Sequence, residues 1–197
     1  EDRTHGVGEV IEALKQSGIV TGWRDEKYKV ARTYSSPTVF EIERAAVPLF
    51  GTIGCSVHMN GVTWRNGELC MWVGRRSLSK PTEPGKLDQM VAGGQPIGIS
   101  VKDNLIKECA EEANIPAKIA ALSKPAGAIT YCVEQAEGLR RDVLFIYDLV
   151  LPEDFEPENT ELSKIKQSSQ EQKKQIESVN RDLDSQIKIE REKIASN

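Results

Sequence analysis

Apolar and polar positions divide the chain into elements. In GVGEVIEALKQSGIV, Val10, Ile11 and Leu14 recur at helical spacing and Gly18 follows, which predicts a short amphipathic helix with a glycine stop. The stretch after it, with Tyr28, Tyr34 and Pro37, reads as a linker. From Ile53 the pattern changes to short runs bounded by Gly, Asn or Pro: IGCSVHM, LCMWVG and DQMVAGG predict strands. Asn66-Gly67 lies between the first two and marks a hairpin turn. A second helix begins at Ser100, an N-cap with Asp103 three residues on, and carries the stripe Leu105, Ile106, Cys109, Ala110 and Ala113. Asn114 and Ile115-Pro116 end it. GAITYCV and DVLFIYDLVL predict two more strands, so the fold class is mixed α/β.

Beyond Pro157 the composition shifts: no Gly, Pro, Cys or aromatic residue follows. Leu162, Ile165, Ile176, Val179, Leu183, Ile187 and Ile194 form a loose helical stripe in a Lys/Gln/Glu/Ser background. The reading is a polar C-terminal helix that docks on a partner or self-associates as a coiled coil through residues 162–197; a solvated or disordered tail is the alternative.

Charge and cysteine usage narrow the classes. The net charge of the 197 residues is -4, which gives no basic surface for nucleic acid. No apolar run is long enough to span a bilayer, and the polar start EDRTHGVGEV shows no signal peptide. The chain also lacks an initiator Met, as processing or trimming would leave it. Cys55, Cys70, Cys109 and Cys132 are scattered without a C-x-x-C pair, so reduced thiols in an intracellular setting are expected. That setting is the cytoplasm, or a mitochondrion or plastid after removal of a transit peptide.

Candidate chemistry lies in KECAEEANIP. Glu108, Glu111 and Glu112 fall at i, i+3 and i+4, on one helix face, where like charges repel. Hard divalent cations prefer such oxygen ligands. A solvated acidic face is the bland reading. The preceding LDQMVAGGQPIGIS reads as a strand followed by a glycine loop containing Gly93, Gly94 and Gly98, which lets a backbone approach phosphate or metal.

GGQPIGISVKDNLIKECAEEANI, Gly93 to Ile115, resembles the Nudix box, G-x5-E-x7-R-E-U-x-E-E-x-G-U with U a bulky aliphatic. With the first Gly at Gly93, the box places Lys107 and Glu108 at its R-E pair and Glu111 and Glu112 at its E-E pair. Ile99 stands for the early Glu, Lys107 for Arg and Asn114 for the late Gly. Lys keeps the charge without the bidentate fork, and Asn tolerates the left-handed backbone. FEIERAAVPLFGTIGCSVHMNG and RRDVLFIYDLVLPEDFEPEN extend the similarity to plant and fungal Nudix hydrolases related to thiamine pyrophosphokinase, a subgroup that also carries G-I-S and the Lys. The resemblance spans roughly residues 7 to 159 and stops abruptly.

The resemblance implies a Nudix-type α/β/α sandwich with a mixed sheet, followed by the polar helix. It divides the chain into a helix and linker segment (1–50), a Nudix-like domain (51–159) lacking the C-terminal part of the fold, and a helical tail (160–197). It implies Mg²⁺- or Mn²⁺-dependent hydrolysis of a small-molecule diphosphate, with thiamine diphosphate and its related or damaged forms as substrates. By resemblance Glu108 and Glu112 are the metal ligands with the Gly93 carbonyl, and Glu108, Glu111 and Glu112 are catalytic, Glu111 as ligand or base.

Arg75 and Arg76 are placed as phosphate-binding residues beside Gly93 and Gly94; a solvated strand end is the alternative. His58 reads as strand packing rather than a base, and Trp72 and Tyr147 as core rather than stacking platforms. The competing functional reading is a catalytically idle Nudix-fold subunit docked through its C-terminal helix, since the subgroup continues with a strand and a closing helix where this chain has its polar tail.

Overall fold

A computed structural model describes residues 2–78 and 84–158, and the backbone of 165–168. Helix α1, Arg3–Gln16, starts under an Asp2 cap that accepts the Thr4 N–H at 3.0 Å, and ends before Gly18 with φ 76°. The segment expected to be a linker is structured. Strands β1, Lys27–Val30, and β2, Phe40–Glu43, pair antiparallel, and a 3₁₀ turn, Arg44–Ala46, leads into the short α2, Val47–Phe50. The reason is a separate apolar cluster of Ile11, Val20, Tyr28, Ile42, Ala46 and Val47, whose members are too far apart in sequence to show a period. Buried Glu43 anchors this unit: its carboxylate accepts backbone N–H groups from Arg24 and Ala45 (3.0 and 3.2 Å) and Glu26 (3.2 Å).

The main sheet is built on β3, Ile53–Arg65. Its turn Asn66-Gly67, with both φ positive, returns the chain as β4, Glu68–Arg75, in the expected hairpin. The stretch predicted as one strand around Asp88 to Gly94 forms two, β5, Leu87–Asp88, and β6, Val91–Gly94. β6 pairs with the first half of β3 and β4 with the second, while β5 pairs with β4. Helix α3, Val101–Ala113, and the short α4, Ala117–Ala120, precede the hairpin β7, Lys124–Gln135, and β8, Gly138–Val150. β8 lies parallel to β3, so the sheet is mixed, with order β5-β4-β3-β8-β7.

The caps of α3 follow the sequence: Ser100 Oγ accepts the Asp103 N–H at 3.1 Å, and Asn114 closes the helix with φ 48°. Leu105, Cys109 and Ala113 bury against Val57, Met59, Trp72, Val91 and Leu149. Ala110, expected in the stripe, is exposed, and Asn104 takes a buried position instead. Trp72 belongs to this core and Tyr147 packs on it, as expected.

The tail departs from its reading at one point. Ile165–Ser168 forms a strand, β9, antiparallel to Cys70–Val73 of β4, rather than part of a helix. Edge backbone groups on β4 offer a β-branched residue such as Ile165 a ladder to join. Leu162, Ile176, Val179, Leu183, Ile187 and Ile194 lie outside the described residues. Among the described residues no helix is long and apolar enough to cross a membrane.

The N-terminal unit meets the sheet at Gly138, the first residue of β8. Its φ is +132°, and an added Cβ would overlap the Pro48 carbonyl of α2, with the carbon at 2.7 Å. Gly138→Ala is expected to lower stability by about 1 kcal/mol or more, since neither the backbone conformation nor the space suits a side chain. Urea unfolding beside the wild-type chain checks this, and an unchanged midpoint would refute the contact.

Candidate functional site

The three glutamates of α3 do not converge. Glu108 turns to β6: a Cβ on Gly93 would overlap its side-chain carbons and stand 2.6 Å from its Oε2. Its side chain is only 12% exposed, so the bare Gly93 backbone forms a cradle for this carboxylate. Glu112, one turn on, also reaches β6 and accepts the Ala92 N–H at 2.9 Å through Oε2. Glu111 instead faces solvent, 58% exposed, and pairs with Lys107 at 3.0 Å. Lys107 bridges this pair to Glu108 Oε1 at 3.1 Å. Burial works to lower the Lys107 pKa, but its hydrogen bonds to Glu111 and Glu108 raise it overall, so the ammonium is held charged. Among the described residues no three His, Cys, Asp or Glu side chains gather as a metal site. The donor set facing β6 is therefore two carboxylates, which suits a Mg²⁺-like ion that keeps waters and takes further ligands from substrate phosphates.

Gly93 and Gly94 were expected in a loop, but both lie in β6, opposite Val57 and Ser56 of β3. Only Gly98 of the three sits in the following loop, with φ 88°. The Gly94 carbonyl is taken by Asn104, whose Nδ2 donates to it at 2.7 Å and to Gln95 Oε1 at 3.2 Å. Asn104 is fully buried, and this amide pins α3 to β6. Its signal in the sequence was a polar residue beside the apolar Leu105-Ile106.

Arg75 ends β4 and Arg76 follows it, as expected, yet each has a partner, one in the following turn and one in β5. Arg75 Nη1 donates to the Gly85 carbonyl at 2.7 Å, and Arg76 pairs with Asp88 at 2.7 Å. Arg44, which sequence reasoning missed, lies at Gly94: its Cζ and Nη1 stand 3.0 Å from where a Gly94 Cβ would be. A cavity of about 270 Å³ opens nearby between the β1–β2 connection and the loop after β6, bounded by Tyr28, Lys29, Tyr34, Cys55 and Ile97. Burial pushes the Cys55 thiol up to about 11.

Residues 1–53 match a family described as a domain of unknown function (DUF4743). The chain is 51% identical over 159 residues to "Nudix hydrolase 20, chloroplastic" of Arabidopsis thaliana, which covers 81% of this chain and 42% of the relative. "Nudix hydrolase 24, chloroplastic" of the same plant is 48% identical over 159 residues, covering 81% and 44%. These relatives support assignment to the Nudix family. The chain spans less than half the length of either one. The fold is that of DR0079 from Deinococcus radiodurans, with a TM-score of 0.54 at 20% identity, covering 73% of this chain and 82% of that one.

His58 sits on β3 opposite Ala92, with Nδ1 against Gln89 Oε1 and Nε2 against Ser56 Oγ at 3.0 Å. Burial lowers its pKa below the ordinary 6.5, and the Gln89 hydrogen bond offsets this only in part. Well above pH 6.5 the imidazole is neutral folded or unfolded. As the pH falls from there through the folded value, the unfolded chain binds the proton first and stability is lost. The thermal midpoint is expected to fall more between pH 7 and pH 5 in the wild type than in His58→Gln. Parallel slopes in differential scanning fluorimetry would rule out this role.

Proposed function

We propose that the chain is a Nudix-type hydrolase of diphosphate linkages, in which Glu108 and Glu112 hold Mg²⁺ or Mn²⁺ against β6. The observation that carries this reading is the Glu108 carboxylate lodged over Gly93, with Glu112 tied to the neighbouring Ala92 N–H. An acidic pair half-buried against a bare strand gains from a cation and oxygen-rich ligands. When bound, the ion neutralises charge on the diphosphate and polarises its P–O bonds. Water adds to one phosphorus, a P–O bond of the bridge breaks, and the departing phosphate keeps the bridging oxygen. Glu111 is the carboxylate we assign to take up the water's proton, because it is the exposed one of the three. Gly93 supplies the approach, and its carbonyl is assigned to the metal shell. Arg75 and Arg76 are assigned to substrate phosphates, a role in which they exchange their present partners for the ligand.

Thiamine diphosphate and its related or damaged forms are the proposed substrates, supported by the similarity of residues 7 to 159 to that subgroup. The plastid is the proposed location, on the strength of two relatives named chloroplastic. One observation favours the second reading, a structural subunit. All twelve residues of β7 are exposed, among them Ile129, Tyr131 and Val133, which gives a partner an apolar edge to cover.

Phosphate release from a panel of organic diphosphates separates the two. Mg²⁺- or Mn²⁺-dependent release that EDTA abolishes is expected; turnover unaffected by EDTA would sink the metal assignment, and none with any diphosphate would leave the subunit.

Glu112→Gln keeps a carbonyl oxygen for the Ala92 N–H and removes the charge. Its turnover is expected to fall at least about tenfold, or roughly 1.4 kcal/mol of barrier. Its thermal midpoint should hold, since a like-charge repulsion on α3 is relieved. Wild-type turnover with a lowered midpoint would make Glu112 a structural residue.

A further inference from the structure

Arg44 belongs to the N-terminal unit, yet its guanidinium sits at Gly94 of β6. Its position is built. Nη1 donates to Glu26 Oε2 at 2.8 Å, the Tyr28 ring lies under Cζ at 5.7 Å, and the Arg44 backbone N–H donates to the Glu26 carbonyl at 2.8 Å. Gly94 leaves room for both: a Cβ there would overlap the Tyr28 hydroxyl and press on the guanidinium. Burial works to lower the Arg44 pKa, but Tyr28, Glu26 and Glu108 raise it overall. Glu108 on α3 thus lies within its electrostatic reach. A guanidinium carries five N–H donors, and Glu26 is the one acceptor Arg44 meets among the described residues. The side chain is 44% exposed, so the remaining donors are open to a ligand.

We infer that Arg44 is a substrate-binding residue, through which the N-terminal unit supplies the cation for the second phosphate of a diphosphate whose first phosphate lies at Glu108 and Glu112. The inference rests on the hydrolase reading for the first half of that site. A planar fork beside an acidic, metal-binding pair matches a ligand with two adjacent anionic groups. It predicts that the site selects diphosphates over single phosphates, and that the 1–53 segment is part of the active site rather than an appendage.

The test uses the full chain with Mg²⁺ and titrates methylenediphosphonate, a diphosphate that cannot be hydrolysed, beside inorganic phosphate. Arg44→Gln is expected to weaken methylenediphosphonate binding at least about tenfold and phosphate binding much less. Arg44→Lys should recover part of the loss. Glu26→Gln keeps the guanidinium and should keep the binding, which guards against a merely structural Arg44–Glu26 pair. With any organic diphosphate the wild type hydrolyses, Arg44→Gln should raise KM more than it lowers kcat. Unchanged binding in Arg44→Gln, equal losses in Arg44→Gln and Glu26→Gln, or no binding by the wild type would each overturn the inference. Binding through Arg44 by a chain that hydrolyses nothing would support it and reject the hydrolase reading alone.

Discussion

Two consecutive residues without side chains, Gly93 and Gly94, set how closely the parts of this domain approach. Neighbouring positions on a strand face opposite sides of the sheet. Gly93 therefore opens toward α3, where Glu108 fills the space a Cβ would take, and Gly94 opens toward Tyr28 and Arg44 of the N-terminal unit. The buried Asn104 amide ties the Gly94 carbonyl to α3 and so fixes the helix against the strand at this point. Any side chain on β6 here would push away the acidic helix on one face or the basic side chain on the other. The local separation of charges, carboxylates and a guanidinium around a bare strand, depends on that gap.

The charges around β6 differ in mobility. Glu108 and Glu112 are restrained by the strand, and Arg44 by Glu26 and Tyr28. Glu111 and Lys107 lie at the surface, where an exposed pair contributes little to stability and can rearrange. Lys107 nevertheless matters locally, because it sits between two carboxylates that would otherwise repel across one turn. Lys in the Arg position of the box thus still neutralises the pair, with single contacts in place of a bidentate fork.

Features that depend on neighbours in sequence were legible. The Asn66-Gly67 turn, the Ser100 cap and the Asn114 stop each follow from local backbone chemistry, and α3 with its acidic residues could be placed to within a residue or two. Features that depend on distant contacts were not. β1 and β2 form because Tyr28 and Ile42 bury beside Ile11 and Val47, a pattern without sequence period. Periodicity put Glu111 on the face of Glu108 and Glu112, but side-chain direction within that face depends on the partner. Two glutamates reach β6, and the third is exposed and pairs with Lys107. Arg44 had no signal at all, since nothing near it in sequence marks the strand it approaches.

The replacement of the early box glutamate by Ile99 carries a further consequence for the proposed site. The loop it occupies is held without a carboxylate, by Gln95 Nε2 donating to the Ile99 carbonyl at 2.9 Å and by the Ile97 N–H donating to the Lys27 carbonyl at 2.9 Å. The second bond joins the loop to β1, so the N-terminal unit shapes the same edge of the site that Arg44 flanks. With two carboxylates facing β6, Glu108 and Glu112 would hold such an ion only in part, and the ligand's phosphate oxygens would supply further donors. Under the proposed function, metal and diphosphate would then strengthen each other's binding by equal factors, as linkage requires. In the proposed arrangement the ligand's second phosphate would be met by Arg44, which the N-terminal unit brings to Gly94, the residue next to the Gly93 that Glu108 covers.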